Sequence, residues 1–480
     1  MVTAPPTESV ATARGNLRFD EPWHQGLRSS NPLGFSGYTA PDPEEESVRT
    51  GLVHAPRGDY VLIECSFGRA SGTMGVAAGQ TVVEAYERAR GLGLPVAQVV
   101  SSGGARLQEG FYALAQMGRT TSAAAAHRQA GLRSATAFRS PTTGGVLASW
   151  AGTTDVRAGS PNALIGFGGP RVVETVTGSL PPSTSHTAEA ALRDGHIDAV
   201  VPDTEHQEWL ERALGIRAAP RLAPSSARPE AWSSTEDPWS DLLGVRQPSR
   251  PSGLDWAAWL TSEWTELGGG SRIRAGIARI GTVEAVVVAM DRDRSGAARP
   301  SLPVPADFRL ARRAIAFADR LRLPLLTLVD TPGADPSPDS EREGLAREIA
   351  HTLLAMASLA GPSVALCVGE GGSGGAMALA HADSLFMLEG TVFAVIGPEA
   401  GAAVLYRDTS RAPDVARGMQ ISASDLARAG LVDGVLPPDV AAVRTAVRQA
   451  LRPQNWGGRN RRPDRATLDA LTGRRRGPAS

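Results

Sequence analysis

Val364-Ala365-Leu366-Cys367-Val368-Gly369-Glu370-Gly371-Gly372-Ser373-Gly374-Gly375-Ala376-Met377-Ala378-Leu379-Ala380 joins an apolar run of β character to an alanine-rich run of helical character. Five glycines fall within the seven residues from Gly369 to Gly375. Glycines at such a strand-to-helix junction let the backbone bend sharply and come close to a ligand. The helix that follows leaves its first N–H groups without intrahelical partners. Those donors suit a negative oxygen, either a phosphate or a carbonyl becoming an oxyanion. The stretch is an anion-stabilising turn, and the rest of the chain decides which anion.

Two short motifs overlap it. Gly369-x-Gly371-x-x-Gly374, with Glu389 twenty residues on, fits the dinucleotide fingerprint. In a chain with 53 glycines that pattern is weak, and it lies three-quarters of the way along. Gly371-x-Ser373-x-Gly375 fits the nucleophile elbow of the α/β-hydrolases, whose triad histidine follows the serine. The one histidine after Ser373 is His381, about two turns on within the elbow's own helix, where it cannot return to the serine.

The 480 residues allow two domains of ordinary size, and 42% hydrophobic content is globular. A net charge of −1 argues against bulk attraction to nucleic acid or membrane, and neither is expected as a partner. All 49 basic residues are arginine. A Walker A lysine, a Schiff-base lysine and a biotinyl-lysine are therefore excluded from these residues. Cys65 and Cys367, 302 positions apart in apolar runs, read as buried small hydrophobes. The eight histidines show no metal-ligand spacing, so no metal is expected. Without a signal peptide or a spanning apolar run, a cytoplasmic location is expected.

Residues 1–28 read as a mobile arm, 217–253 as a Pro/Ser/Arg-rich linker with a short helix around Trp239 to Leu243, and 452–480 as a basic disordered tail. Between them lie two domains, 29–216 and 254–451, in which strand-like and helix-like runs alternate as in α/β layers.

These two domains repeat each other. In the first, Ser101-Ser-Gly103-Gly104-Ala105-Arg106 ends a β run, and Gly144-Gly145, Gly166 and Gly195 follow. In the second, Asp330-Thr-Pro-Gly333-Ala334 ends a β run, and Gly374-Gly375, Gly397 and Gly430 follow. Pairing Gly104 with Gly333, Gly144 with Gly374, Gly166 with Gly397 and Gly195 with Gly430 gives offsets of 229, 230, 231 and 235. Four pairs in order at nearly constant offset point to an internal duplication. Each half offers two glycine turns about forty residues apart, whose N–H groups can converge on one oxygen as an oxyanion hole.

At these residues the chain resembles the carboxyltransferase component of acetyl-CoA carboxylase, built from domains of the crotonase superfamily. Ser102-Gly-Gly-Ala-Arg-Leu-Gln-Glu109, Ser140-Pro-Thr-Thr-Gly-Gly-Val146 and Ala163-Leu-Ile-Gly-Phe-Gly-Gly-Pro-Arg-Val172 resemble the family's β subunit. Asp330-Thr-Pro-Gly-Ala334, Gly369-Glu-Gly-Gly-Ser-Gly-Gly-Ala376 and Val395-Ile-Gly-Pro-Glu399 resemble its α subunit. The resemblance runs from about Asn31 to Asp439 and implies a fused β–α chain with two tandem crotonase-like ββα-spiral domains, α/β in class.

The resemblance also implies the chemistry: carboxybiotin on a separate biotin carboxyl carrier protein, charged by a biotin carboxylase, gives its carboxyl group to the α-carbon of an acyl-CoA such as acetyl-CoA. By the family pattern, Gly103, Gly104, Gly144 and Gly145 would hold the thioester oxyanion, and Gly333, Ala334, Gly374 and Gly375 the biotin ureido oxygen. Arg106, Gly166, Gly168, Arg171 and Gly397 would line the substrate, with Arg106 and Arg171 the candidates for the CoA phosphates. In relatives the active sites form between protomers, so a homodimer or higher homo-oligomer is expected. Decarboxylation of a malonyl thioester and non-catalytic docking of a carrier are the alternatives. These residues depart from the family pattern in having no cysteine before Cys65, so no four-cysteine zinc ribbon is expected within them. Asp335 and Pro338 replace the usual glycine-rich continuation after Gly333.

Overall fold

An antiparallel hairpin leads into the parallel part of the sheet in each half of the chain. Val48–Ala55 pairs with Gly58–Cys65, and Ile273–Ile280 pairs with Val283–Met290 around a two-residue turn that has Gly281 at φ +63°. The structure, a computed structural model, describes residues 17–23, 26–225, 234–293 and 301–452. Most of the expected arm, and the tail after Arg452, lie outside the described residues. By internal contacts the chain divides into two units, Met1–Ala218 and Ala219–Ser480.

In the first unit the hairpin is followed by helix Val76–Leu92, strand Val96–Ser102, helix Gly110–Gln129 and strand Ser134–Thr143. The strands from Gly58–Cys65 onward run parallel, and Val156–Gly159 and Ala199–Val200 continue the sheet. Every residue of Val96–Ser102 is buried, as expected for a parallel strand covered on both faces. Helix Val76–Leu92 turns Val82, Ala85, Tyr86 and Ala89 into the core, an i, i+3, i+4, i+7 stripe, and ends at Gly93 in the left-handed conformation. Each buried side chain of valine size in such a stripe contributes about 1.5–3 kcal/mol.

The second unit repeats this order. Its hairpin leads to helix Pro305–Leu321, strand Leu325–Thr331, helix Leu345–Ser358 and strand Ser363–Gly372, whose ten residues are all buried. Ser384–Leu388 and Gly434–Leu436 extend the parallel part. Among the described residues each sheet has eight strands. The linker expectation meets a helix at Pro238–Val245, and Leu222, Leu242, Val245 and Arg250 of that stretch are buried in the second unit.

The ladders set the repeat's register. Val96 pairs with Ser134 and Ser102 with Thr142; Leu325 pairs with Ser363 and Thr331 with Gly371, each residue displaced by 229 (325 minus 96, 371 minus 142). The Asp198 carboxylate accepts the Arg157 N–H at 2.8 Å, and the Asp433 carboxylate accepts the Leu385 N–H at 2.8 Å. Gly195 and Gly430, at φ +75° and +70°, occupy equivalent turns. Two of the glycine pairs read from the sequence shift, however. At the constant displacement of 229, Gly144 matches Ser373, and both have positive φ, +59° and +56°. Gly397 precedes helix Pro398–Tyr406 as Gly169, not Gly166, precedes helix Pro170–Thr177.

Candidate active site

In the first unit two strands end side by side and both turns carry glycine. Gly104 has φ +102° and Gly144 φ +59°, values that L side chains rarely adopt. A Cβ on Gly104 would lie 3.3 Å from the Gly144 Cα and 3.3 Å from the Gly145 nitrogen. The two turns therefore touch backbone to backbone. The short strand Ile165–Gly166 pairs with Thr142 and Thr143, and Gly144 donates its N–H to the Phe167 carbonyl at 2.9 Å.

The same hydrogen bonds redistribute the expected donors. Gly103 gives its N–H to the Ser71 carbonyl at 3.1 Å, and Gly104 gives its N–H to Ser102 Oγ at 3.0 Å. With Gly144 committed to Phe167, three of the four donors read from the sequence are already used. Among the described residues, the N–H groups of Ala105 and Gly145 take no such partner. Gly145 is the second residue of the helical turn Gly144–Leu147, where no intrahelical acceptor exists.

The second unit has the same construction. Gly333 donates to Thr331 Oγ1 at 3.3 Å, which leaves the N–H of Ala334. Gly374 and Gly375 stand in the first turn of helix Ser373–Ala380, where N–H groups lack intrahelical acceptors. A Cβ on Gly375 would lie 2.8 Å from the Ala334 nitrogen, and one on Gly372 would lie 1.9 Å from the Pro332 carbonyl oxygen. Ser373 is exposed at the apex, and among the described residues its hydroxyl makes no hydrogen bond, so no base prepares it as a nucleophile.

The space beside the turns differs in chemistry. In the second unit a cavity of about 440 Å³ opens at Ser373 and Gly374 and is walled by Met377, Leu385, Phe393 and Leu431. The equivalent cleft of the first unit, about 450 Å³, is lined by Phe138, Leu147 and Gly166 together with Arg157, His186 and Asp194. The His186 ring lies over Gly166, where a Cβ would come within 2.4 Å of it.

The remaining expected residues divide. Arg171 is exposed on helix Pro170–Thr177, and Gly168, two residues before that helix, would accept a Cβ at 3.4 Å from Val173. Gly397 caps the start of helix Pro398–Tyr406. Arg106 is a correction: its side chain is 2% exposed and faces inward. It pairs with Glu46 at 2.5 Å and Glu109 at 3.2 Å and donates to the Thr73 carbonyl at 2.9 Å. Two carboxylates already neutralise the guanidinium, so it is not presented to a phosphate.

Sequence reasoning passed over Ala105, whose donor becomes visible only once its glycine neighbours are seen to be engaged. It also passed over Arg246 and Arg250, which lie in the stretch read as linker. Arg246 grips Glu370 with two nitrogens, at 2.8 and 2.7 Å, and Glu399 with a third at 2.6 Å. Arg250 pairs with Asp330 at 2.5 Å.

Residues 226–453 match a family model described as acetyl co-enzyme A carboxylase carboxyltransferase-like. The acetyl-coenzyme A carboxylase carboxyl transferase subunits beta/alpha of Salinispora tropica are 37% identical over 436 residues, covering 85% of this chain and 77% of that protein. A probable biotin-dependent acyl-coenzyme A carboxylase beta3 subunit of Mycobacterium tuberculosis is 35% identical, covering 86% of this chain and 84% of that protein. Among solved structures, the transcarboxylase 12S core with methylmalonyl-coenzyme A bound superposes with a TM-score of 0.76 at 22% identity, over 96% of this chain and 89% of that one. The fold is thus the tandem crotonase-like one that the sequence motifs implied. With similarity of this extent spanning both units, the chain belongs to the carboxyltransferase family of the biotin-dependent acyl-coenzyme A carboxylases.

Proposed function

We propose that the chain transfers a carboxyl group from carboxybiotin, borne by a separate carrier protein, to the α-carbon of acetyl-CoA or a related acyl-CoA, giving malonyl-CoA or its homologue. The observation that carries this reading is the turn pair built twice, each copy leaving N–H groups without a protein acceptor. In the first unit Ala105 and Gly145 hold the thioester oxygen as charge develops on it. In the second unit Ala334 with Gly374 and Gly375 hold the ureido oxygen of biotin. A preorganised donor of this kind is worth about 10²–10³ in rate, because it meets the charge without reorganising. The largely apolar cavity beside Gly374 suits the uncharged bicyclic ring of biotin, and the mixed cleft of the first unit, where Arg157, His186 and Asp194 join apolar walls, suits a different guest.

These 480 residues contain no lysine for biotin to be attached to, so the biotin of the proposed cycle is borne outside them. That carrier and the biotin carboxylase that charges it are the protein partners of the cycle. Leu107 and Phe111, 84% and 76% exposed, and Val395 and Val404, 75% and 74% exposed, give each unit an apolar surface that supports a homo-oligomer. Among the described residues no helix is long and apolar enough to cross a membrane, and the reading places the reaction in the cytoplasm. The test is reverse transfer: purified chain with malonyl-CoA and free biotin should form acetyl-CoA at a biotin-dependent rate. Equal decarboxylation without biotin would favour a thioester decarboxylase instead.

A further inference from the structure

We infer that Arg250 is the positioning residue that fixes the two turns of the second unit against each other and so sets the spacing of its N–H donors. This deepens the reading above, in which those donors hold the oxygen of biotin. The Arg250 side chain is 3% exposed and every nitrogen of its guanidinium is used. Nη2 meets Asp330 Oδ1 at 2.5 Å, and Nη1 donates to the Val368 and Pro251 carbonyls, each at 2.8 Å. Nε donates to the Val245 carbonyl at 2.6 Å.

Asp330 and Val368 are the informative partners. Asp330 is the penultimate residue of strand Leu325–Thr331, which runs into Gly333 and Ala334, and Val368 lies on the strand that runs into Gly374. One planar guanidinium thus bonds both strands just before they turn. Asp330 Oδ1 also accepts the Glu370 N–H at 3.4 Å, closing the link between the strands. A Cβ on Gly369 would lie 2.2 Å from both Arg250 Nη2 and Asp330 Oδ1, so this glycine makes room for the pair. Asp330 is 2% exposed and its Oδ2 has no hydrogen-bond partner, which leaves the buried carboxylate dependent on Arg250 for compensation.

Arg246, four residues earlier at the end of helix Pro238–Val245, fastens Glu370 and Glu399. The counterparts of Asp330 and Glu370 in the first unit, at the displacement of 229, are Ser101 and Pro141, which can form no such pair. The clamp belongs to one unit alone, so loosening it should disturb one half-reaction and spare the other. A lysine at position 250 keeps the charge but cannot span two strands with a planar fork.

The test compares wild type with Arg250→Met, Arg250→Lys and Asp330→Asn in malonyl-CoA turnover driven by biocytin, with malonyl-CoA affinity measured by calorimetry. Displacing donors by about 1 Å costs on the order of 10²-fold in rate. The expected result is that kcat with biocytin falls by about that factor in Arg250→Met and Asp330→Asn, and less in Arg250→Lys, while malonyl-CoA affinity stays within about twofold of wild type. Asp330→Asn preserves size and one oxygen, and it decides the matter should Arg250→Met fail to fold. Wild-type kcat in the folded variants, or parallel loss of malonyl-CoA affinity, would overturn the inference. Absence of biocytin-dependent turnover in the wild type would instead refute the function itself.

Discussion

A methyl group on Gly144 would lie 3.1 Å from the Cα of Gly104, tighter than the backbone can accept without moving. Gly144 also sits at φ +59°, so any side chain there adds left-handed strain of about 1–2 kcal/mol to the clash. Gly144→Ala is expected to push the two turns of the first unit apart by a few tenths of an ångström and lower kcat, by less than the roughly 10²-fold that a full ångström of misplacement costs. Steady-state kinetics of malonyl-CoA turnover with biotin check this. A variant with wild-type kcat would show that the close approach has no catalytic role.

The contrast between Gly144 and Arg250 shows what the sequence made legible. Alternating apolar and helical runs are local, so the strands, the helices and the duplication could be read directly. Strand Ser363–Gly372 and helix Ser373–Ala380 follow the apolar and alanine-rich runs of Val364 to Ala380. The turns were legible because glycine clusters mark them. Which N–H groups they free was not, since the acceptors Ser71 and Phe167 lie 32 and 23 positions from the glycines they engage (103 minus 71, 167 minus 144). Composition likewise marked 217–253 as a tether, although its arginines are drawn inward by Asp330 and Glu370, far along the chain.

Arg106 is the clearest such case, because Glu46 stands 60 positions away. Removing one member of a buried ion pair strands the other charge and costs about 3–5 kcal/mol. Arg106→Met is expected to lower the stability of the chain by that order in urea denaturation, with Glu46 and Glu109 left uncompensated. Arg171→Ala, on an exposed helix, is expected to leave stability unchanged and weaken CoA binding in a salt-dependent way. A stable Arg106→Met protein with selectively weakened CoA binding would return Arg106 to the phosphate role.

His206 supplies a pH signature. Its ring is buried, with Nε2 at 3.1 Å from the Val201 carbonyl and Nδ1 without a hydrogen-bond partner. Burial first, and then the nearby Arg139 charge, push its pKa down to about 4. The unfolded chain binds a proton at this histidine near the ordinary value of about 6.5, so between the two values the unfolded state binds more protons. The stability that neutral His206 contributes is therefore fully present above about pH 6.5 and is lost as pH falls toward 4. His206→Gln should flatten this decline, read as the wild-type-minus-variant difference in urea midpoint between about pH 6.5 and 5. A difference independent of pH would contradict the assignment.

The central claim is that two sets of backbone donors, one in each unit, act on two oxygens in a single transfer. Reverse transfer from malonyl-CoA to free biotin tests it most directly, in wild type, Gly145→Val and Gly374→Val. A Cβ at Gly145 would stand 3.0 Å from Met117 Sδ and 3.5 Å from the Ala105 Cβ, and the larger side chain should crowd both donors there. The account predicts biotin-dependent acetyl-CoA formation by wild type and its loss, by about 10²-fold or more, in each single variant. Full biotin-dependent activity in either variant would contradict it.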